Sequence, residues 1–179
     1  MKVDIYNTDK KYNVIYADPP WHYNTWRNGM GTAEKHYPTM KIEEILAMKD
    51  TIQKISEKDC VLFLWVTFPC LLDGLKTMKE WGFKYKTCGF NWVKRNKKSN
   101  TYFFGLCDKW VLGLGHWTRS NAELCLIGTK GTIHRKSKKV QQVVDTHREE
   151  HSKKPAIVRE RIVELVGDLP RIELFARQT

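Results

Sequence analysis

The chain has 179 residues, 41% of them hydrophobic, which is near the usual size of one domain and too apolar for a disordered polypeptide. Its longest apolar stretch, residues 61–72, is interrupted by Thr67 and Pro69 and is too short to cross a bilayer. Met1-Lys2-Val3-Asp4 lacks the apolar run of a signal peptide, so a cytoplasmic protein without membrane contact is expected. Thirty-one lysines and arginines against 20 aspartates and glutamates give a net charge of +11, with basic clusters at residues 94–98 and 130–139 and a mixed third at 148–154. Such clusters suit a phosphate backbone, and they also read as solvated surface. Five scattered cysteines (Cys60, Cys70, Cys88, Cys107 and Cys125) contain no Cys-x-x-Cys pair. That pattern speaks against a metal site and against a disulfide framework.

In chain order, residues 12–17 (YNVIYA) read as a short strand that stops at Asp18-Pro19-Pro20, because proline cannot continue a central strand. Residues 21–39 are polar, aromatic and glycine-containing, a long loop of the functional kind. From 42 to 55, apolar residues at 42, 45, 46, 48, 52 and 55 have the spacing of one helix. Residues 61–66 form a continuous apolar strand. A second amphipathic helix covers 71–81 and closes on Gly82. Strands follow at 83–93 and 123–128, separated by a loop-like stretch, 96–121. Pro155 opens a helix that runs to about Val166, and residues 171–176 form the last strand.

Strands alternating with helices imply an α/β sandwich, a mostly parallel sheet with helices on both faces. No repeat or linker interrupts it, so a single domain over 1–179 is expected. In such sheets ligands bind at the carboxyl ends of the strands, and Asp18 stands at such an end.

An adenine amino group is a poor nucleophile because its lone pair is delocalised into the ring. Acceptors that hold its hydrogens let the nitrogen become tetrahedral. The Asp18 carboxylate and the Pro19 carbonyl are a suitable pair. Pro19 and Pro20 stiffen the turn, and Trp21 offers a flat face for the base. The alternative for these four residues is a strand-ending turn with a buried tryptophan.

The segments YNVIYADPPW, HYPTM (36–40), VLFLWVT (61–67), GHWTRSNAELCLIGTKG (115–131), HSKKP (151–155) and IELFAR (172–177) together resemble the MT-A70 family of adenine-N6 methyltransferases. The resemblance covers nearly the whole chain in the family's motif order, and the length is similar to the compact bacterial and phage members. It implies a Rossmann-like methyltransferase fold with permuted order, catalytic strand first and cofactor strand last, and S-adenosyl-L-methionine as cofactor.

By position, the resemblance has Asp18 and Pro19 gripping the target amine and Asp18 also near the methionine moiety. Trp21 and Tyr37 line the base pocket, and Glu123 lies near the target nucleotide, where a plain surface carboxylate is the other reading. Lys154 reaches the cofactor carboxylate at a helix amino end, which favours anions in any case. Glu173 and Arg177 take the ribose. Period-two alternation puts both on one face of the last strand with Phe175, opposite Ile172, Leu174 and Ala176. Asp4 and Ile5 are the adenine-reading pair. Lys136, Lys138 and Lys139 are assigned to nucleic-acid binding. Family members usually continue into a glycine- and tryptophan-containing segment that closes over the ribose. Here the sequence ends at Gln178-Thr179. The expectation is that either it is cut short or the cofactor pocket closes differently, with weak cofactor affinity or completion by a second subunit, as in a homodimer.

The leading expectation is a DNA adenine methyltransferase. An RNA adenine-N6 methyltransferase is the alternative, because a pocket for one extruded base does not report the sugar. A catalytically silent nucleic-acid-binding partner subunit is a third reading, opposed by the intact Asp-Pro-Pro-Trp. A dinucleotide oxidoreductase is excluded, since no Gly-x-Gly-x-x-Gly follows a strand.

Overall fold

A computed structural model describes residues 3–22, 38–96, 110–113, 115, 117–148 and 153–176. Six strands form one sheet: β1 (Tyr12–Ala17), β2 (Ser56–Val66), β3 (Lys84–Arg95), β4 (Ala122–Lys130), β5 (Val143–His147) and β6 (Arg171–Leu174), in the order β5-β3-β4-β2-β1-β6. The helices are α1 (Ile42–Ala47), α2 (Lys49–Ile55), α3 (Leu71–Glu80) and α4 (Ala156–Val166). None of the described helices is long and apolar enough to cross a membrane.

Five of the six strands run the same way, in keeping with the expected mostly parallel sheet, and one reversed strand makes the sheet mixed. β1 runs parallel to β2 and β6, and β3 to β5, but β4 is antiparallel to both of its neighbours. β3 ends and β4 begins at the same end of the sheet, where Val93 pairs with Ala122, so the two strands are antiparallel.

Strand alternation divides the core into two layers. Ile15, Ala17, Leu62, Leu64 and Leu126 point to one face, where they meet Ile45 of α1, Ile52 and Ile55 of α2 and Met78 of α3. Val14, Tyr16, Phe63, Trp65 and Cys125 point to the other, against Val158, Ile162 and Val166 of α4. Helices therefore cover both faces. Phe63 and Leu64 are wholly buried, which is why β2 reads as a continuous apolar run. Truncating Phe63 to alanine costs about 3–5 kcal/mol on the usual scale for core aromatics.

Three local differences from the sequence reading have identifiable causes. The single helix over 42–55 is two, because the backbone turns at Met48 (φ −71°, ψ −1°); both halves still bury their apolar residues in one cluster. β2 starts at Ser56, so five polar-rich residues precede its apolar part. β5 is absent from the sequence reading because it is a short edge strand with half-exposed Val143 and three polar residues. Gly82 follows α3 as expected, with φ at 88°. Gly74 lets α3 lie close on the sheet, since a Cβ there would sit 2.3 Å from Val66 Cγ1.

Candidate active site

The parallel strands β1, β2 and β6, together with β3 and β5, bring their carboxyl ends to one side of the sheet. β1 stops as proline chemistry requires. Pro19 is buried, and its carbonyl accepts the Trp21 N–H at 2.8 Å, an i to i+2 bond that makes a γ-turn about Pro20. The Pro20 carbonyl accepts the Met40 N–H at 2.8 Å, tying the turn to the start of the helical segment. Asp18 is left at the rim with its side chain 20% exposed.

Trp21 takes a different place from the one expected. Its ring is buried in the α1–α3 layer, and its Nε1–H donates to the Trp65 carbonyl at 2.8 Å. A buried indole N–H needs an acceptor, and this one anchors the turn to β2. An open stacking face for a base is corrected to a structural peg.

On the α4 side, four charged residues form a line of alternating sign. Lys154, 7% exposed, donates to Asp18 Oδ2 at 2.7 Å and lies 3.3 Å from Glu123 Oε2. Lys94 donates to Glu123 Oε1. The Lys154 ammonium also stands 5.4 Å from the centroid of the Trp65 ring. Trp65 is itself fixed, because its Nε1–H donates to the Tyr16 hydroxyl at 2.7 Å. Burial pushes the Glu123 carboxyl up, but the attraction of Lys154 and then Lys94 outweighs it and holds the group below its ordinary range. Burial likewise disfavours the Lys154 ammonium, and Glu123 and Asp18 together reverse that and raise it. Both groups therefore stay charged.

Glu173 of β6, level with Tyr16, is gripped at both oxygens by Arg159 of α4, with contacts of 2.8 and 2.6 Å. The Arg159 guanidinium lies 5.4 Å from the Tyr16 ring centroid. Glu173, Arg159 and Tyr16 line a cavity of about 310 Å3 between α4 and the β1–β6 edge.

Phe175 does not share that face. β6 ends at Leu174, Phe175 turns with φ at 63°, and its ring packs with Ile5 against the α1–α3 layer. Alternation stops where the strand stops, which is the reason for this correction. Asp4 and Ile5 border a cavity of about 460 Å3. The Asp4 carboxylate accepts the Tyr6 backbone N–H at 3.0 Å and the Asn7 side-chain amide at 2.6 Å. Tyr37 and Arg177 lie outside the described residues.

Lys136, Lys138 and Lys139 are exposed on the loop after β4, at the far end of the sheet, where Lys130 pairs with Cys60. The Lys136 backbone N–H donates to the Leu165 carbonyl near the end of α4 at 2.6 Å. The structure does not bring these lysines to Asp18.

The MT-A70 family profile matches residues 12–179. The chain belongs to the MT-A70 family. It is 34% identical over 187 aligned positions to the Type II methyltransferase M.MunI of a Mycoplasma species, an alignment covering 94% of this chain and 73% of that protein. It is 28% identical to the N(6)-adenosine-methyltransferase MT-A70-like of Arabidopsis thaliana, over 98% of this chain but 22% of the plant protein. The non-catalytic subunit MTB of the same plant is 32% identical over 70% of this chain and 15% of its own length. Within this MT-A70 chain, Asp18, Glu123 and Lys154 come together although they are far apart in sequence. Lys94 and Arg159 join them unannounced. Arg159 falls one helical turn after Pro155, a spacing that carries it to the Lys154 end of α4; Lys94 had no local signal apart from its basic neighbours.

Proposed function

We propose that this MT-A70 protein is an S-adenosylmethionine-dependent methyltransferase that methylates the exocyclic N6 amine of adenine in DNA. The observation that carries this reading is the Asp18 carboxylate, pinned by Lys154 at 2.7 Å beside a Pro19 carbonyl whose direction is set by the γ-turn. A carbonyl oxygen has two lone pairs, so Pro19 retains one acceptor site beyond its bond to Trp21. Asp18 and Pro19 then hold the two amine hydrogens, and the nitrogen lone pair is withdrawn from the ring. Because both acceptors are fixed before the substrate arrives, little reorganisation opposes the attack. Glu123 borders the target base, and the motif resemblance assigns Tyr37 there as well.

The charged residues fit S-adenosylmethionine. Its amino-acid end is a zwitterion, and the buried Lys154 with its Asp18 neighbour presents the complementary pair at the amino end of α4, which favours a carboxylate. Glu173, oriented by Arg159, is the acceptor for the ribose hydroxyls, and the motif resemblance assigns Arg177 to the same ribose. Asp4, Ile5 and Phe175 border the adenine. When bound, the cofactor supplies an electrophilic methyl group on a sulfonium. β1 and β6 are neighbours in the sheet, which supports a permuted Rossmann-like order in one domain, catalytic strand first and cofactor strand last.

DNA is favoured over RNA because the chain spans most of the bacterial Type II methyltransferase and only a minor part of the plant adenosine enzyme. The purified chain, given methyl-labelled cofactor with duplex DNA, single-stranded DNA and RNA of one sequence, is expected to label adenine in DNA. Label confined to RNA overturns the choice of substrate. No label on any polymer, with no calorimetric signal on adding the cofactor, overturns the enzyme reading.

A further inference from the structure

We propose that Lys94 is a positioning residue of this site, holding Glu123 so that Lys154 stays turned toward Asp18, and is not a phosphate contact. Its kinetic consequences rest on the methyltransferase reading above. In sequence Lys94 opens the basic cluster 94–98, which suits nucleic acid. In the structure its side chain is 23% exposed, its ammonium donates to Glu123 Oε1, and it lies 4.9 Å from the centroid of the Trp92 ring. The Trp92 ring is held in turn by its Nε1–H, which donates to Thr146 at 2.9 Å. The Lys94 backbone N–H is tied to the Asn121 carbonyl at 2.8 Å, so both ends of the residue lie against the segment that carries Glu123.

The consequence is a division of charge. One ammonium, Lys154, lies between two carboxylates and sits nearer Asp18, 2.7 Å against 3.3 Å from Glu123. With Lys94 on its other oxygen, Glu123 is compensated from two sides and competes weakly for Lys154. Without Lys94, three charges of net negative sign remain, and Glu123 has Lys154 as its remaining counter-ion. Lys154 is then drawn toward Glu123, which weakens its cofactor contact and loosens its hold on Asp18. Among the described residues, the charged groups at Glu123 are Lys94 from β3 and Lys154 from the entry to α4, and Lys154 in turn holds Asp18 at the end of β1. Arg95, on the opposite face of β3, is engaged with Asp145 of β5. The depressed titration of Glu123 agrees with two cations at its oxygens.

The test compares Lys94→Met with Lys94→Arg, which keeps the charge. In the full chain labelled with 13C at glutamate carboxyls, the Glu123 titration midpoint is expected to rise by about one pH unit or more in Lys94→Met and to stay near wild type in Lys94→Arg. With S-adenosylmethionine and DNA, Lys94→Met is expected to raise the Michaelis constant for the cofactor about tenfold and move the acid limb of kcat upward. The constant for DNA and its salt slope remain unchanged. Adding Lys94→Met to Glu123→Gln should cost nothing further, because the charge that Lys94 restrains is gone. A phosphate contact gives the reverse pattern: a weaker constant for DNA, a salt slope reduced by about one, and an unmoved Glu123 midpoint. That result overturns the proposal, as does an additive loss in the double variant. The titration needs no catalysis. A shifted midpoint in a chain that transfers no methyl group sinks the methyltransferase reading alone, and an unmoved midpoint in an active enzyme sinks the Lys94 role alone.

Discussion

Both ends of the sheet are rich in lysine, and they hold it in opposite ways. At the carboxyl end of β1, Lys94 and Lys154 are largely enclosed, each against a carboxylate. At the other end, Lys136, Lys138 and Lys139 stand in solvent on a loop fastened by its backbone to the end of α4. An exposed ammonium costs nothing to keep, whereas a buried one is retained only with compensating partners. Enclosure with opposite charges therefore sets the cluster of Lys94 and Lys154 apart from the solvated lysines of the loop.

The largest effect that sharpens this contrast is expected from Asp18→Ala, which should lower methyl transfer by at least about a hundredfold, the scale for losing one preorganised polar group. Wild-type turnover in that variant breaks the assignment. Next comes Lys154→Met, which removes the buried ammonium between Asp18 and Glu123 and leaves Glu123 to Lys94. A loss of about 3 kcal/mol in urea unfolding is expected, as for other broken buried pairs.

The same cluster sets a pH dependence. Glu123 titrates below its ordinary 4.5 in the folded chain, so its contribution is complete above that value and disappears as pH falls through the folded midpoint. Lys154 titrates above its ordinary 10.5, so its contribution is complete below that value and disappears as pH rises past the folded midpoint. Unfolding free energy measured against pH should be level between those limits as far as this cluster is concerned. The acid slope should shrink in Lys154→Met.

A smaller change is expected from Glu173→Gln, about tenfold weaker cofactor binding by calorimetry with kcat at saturation preserved. The smallest is expected at the far end. Replacing Lys136, Lys138 and Lys139 together with glutamine should leave kcat and the salt slope of DNA binding unmoved, and stability within about 0.5 kcal/mol. A flatter salt slope would make that loop a second contact with the polymer.

What was legible in the sequence follows from the range of the signals. Apolar spacing is local, and it found the strand at 12–17, the helix before Gly82 and the helix after Pro155. Proline chemistry placed the end of β1. The reversal of β4 was not visible, because apolar spacing does not show which way a strand runs, and β5 was too short and polar to register. In the site, Asp18, Glu123 and Lys154 were named one at a time from motif resemblance, but their mutual contact spans 136 residues between Asp18 and Lys154. No periodicity reaches that far. Trp21 was misplaced for a related reason: the acceptor for its indole lies on β2, 44 residues away.

The reversed direction of β4 has a consequence for how this candidate site is supplied. A strand's first residues and its last leave the sheet on opposite sides, so reversing one strand exchanges what its two flanking segments deliver. Because β4 enters beside the γ-turn, the acidic residue near its start meets Lys154, and the cationic stretch that follows it is carried to the rear of the molecule. Threaded the other way, the same nine residues would crown the pocket with lysine and leave Lys154 without its second anion.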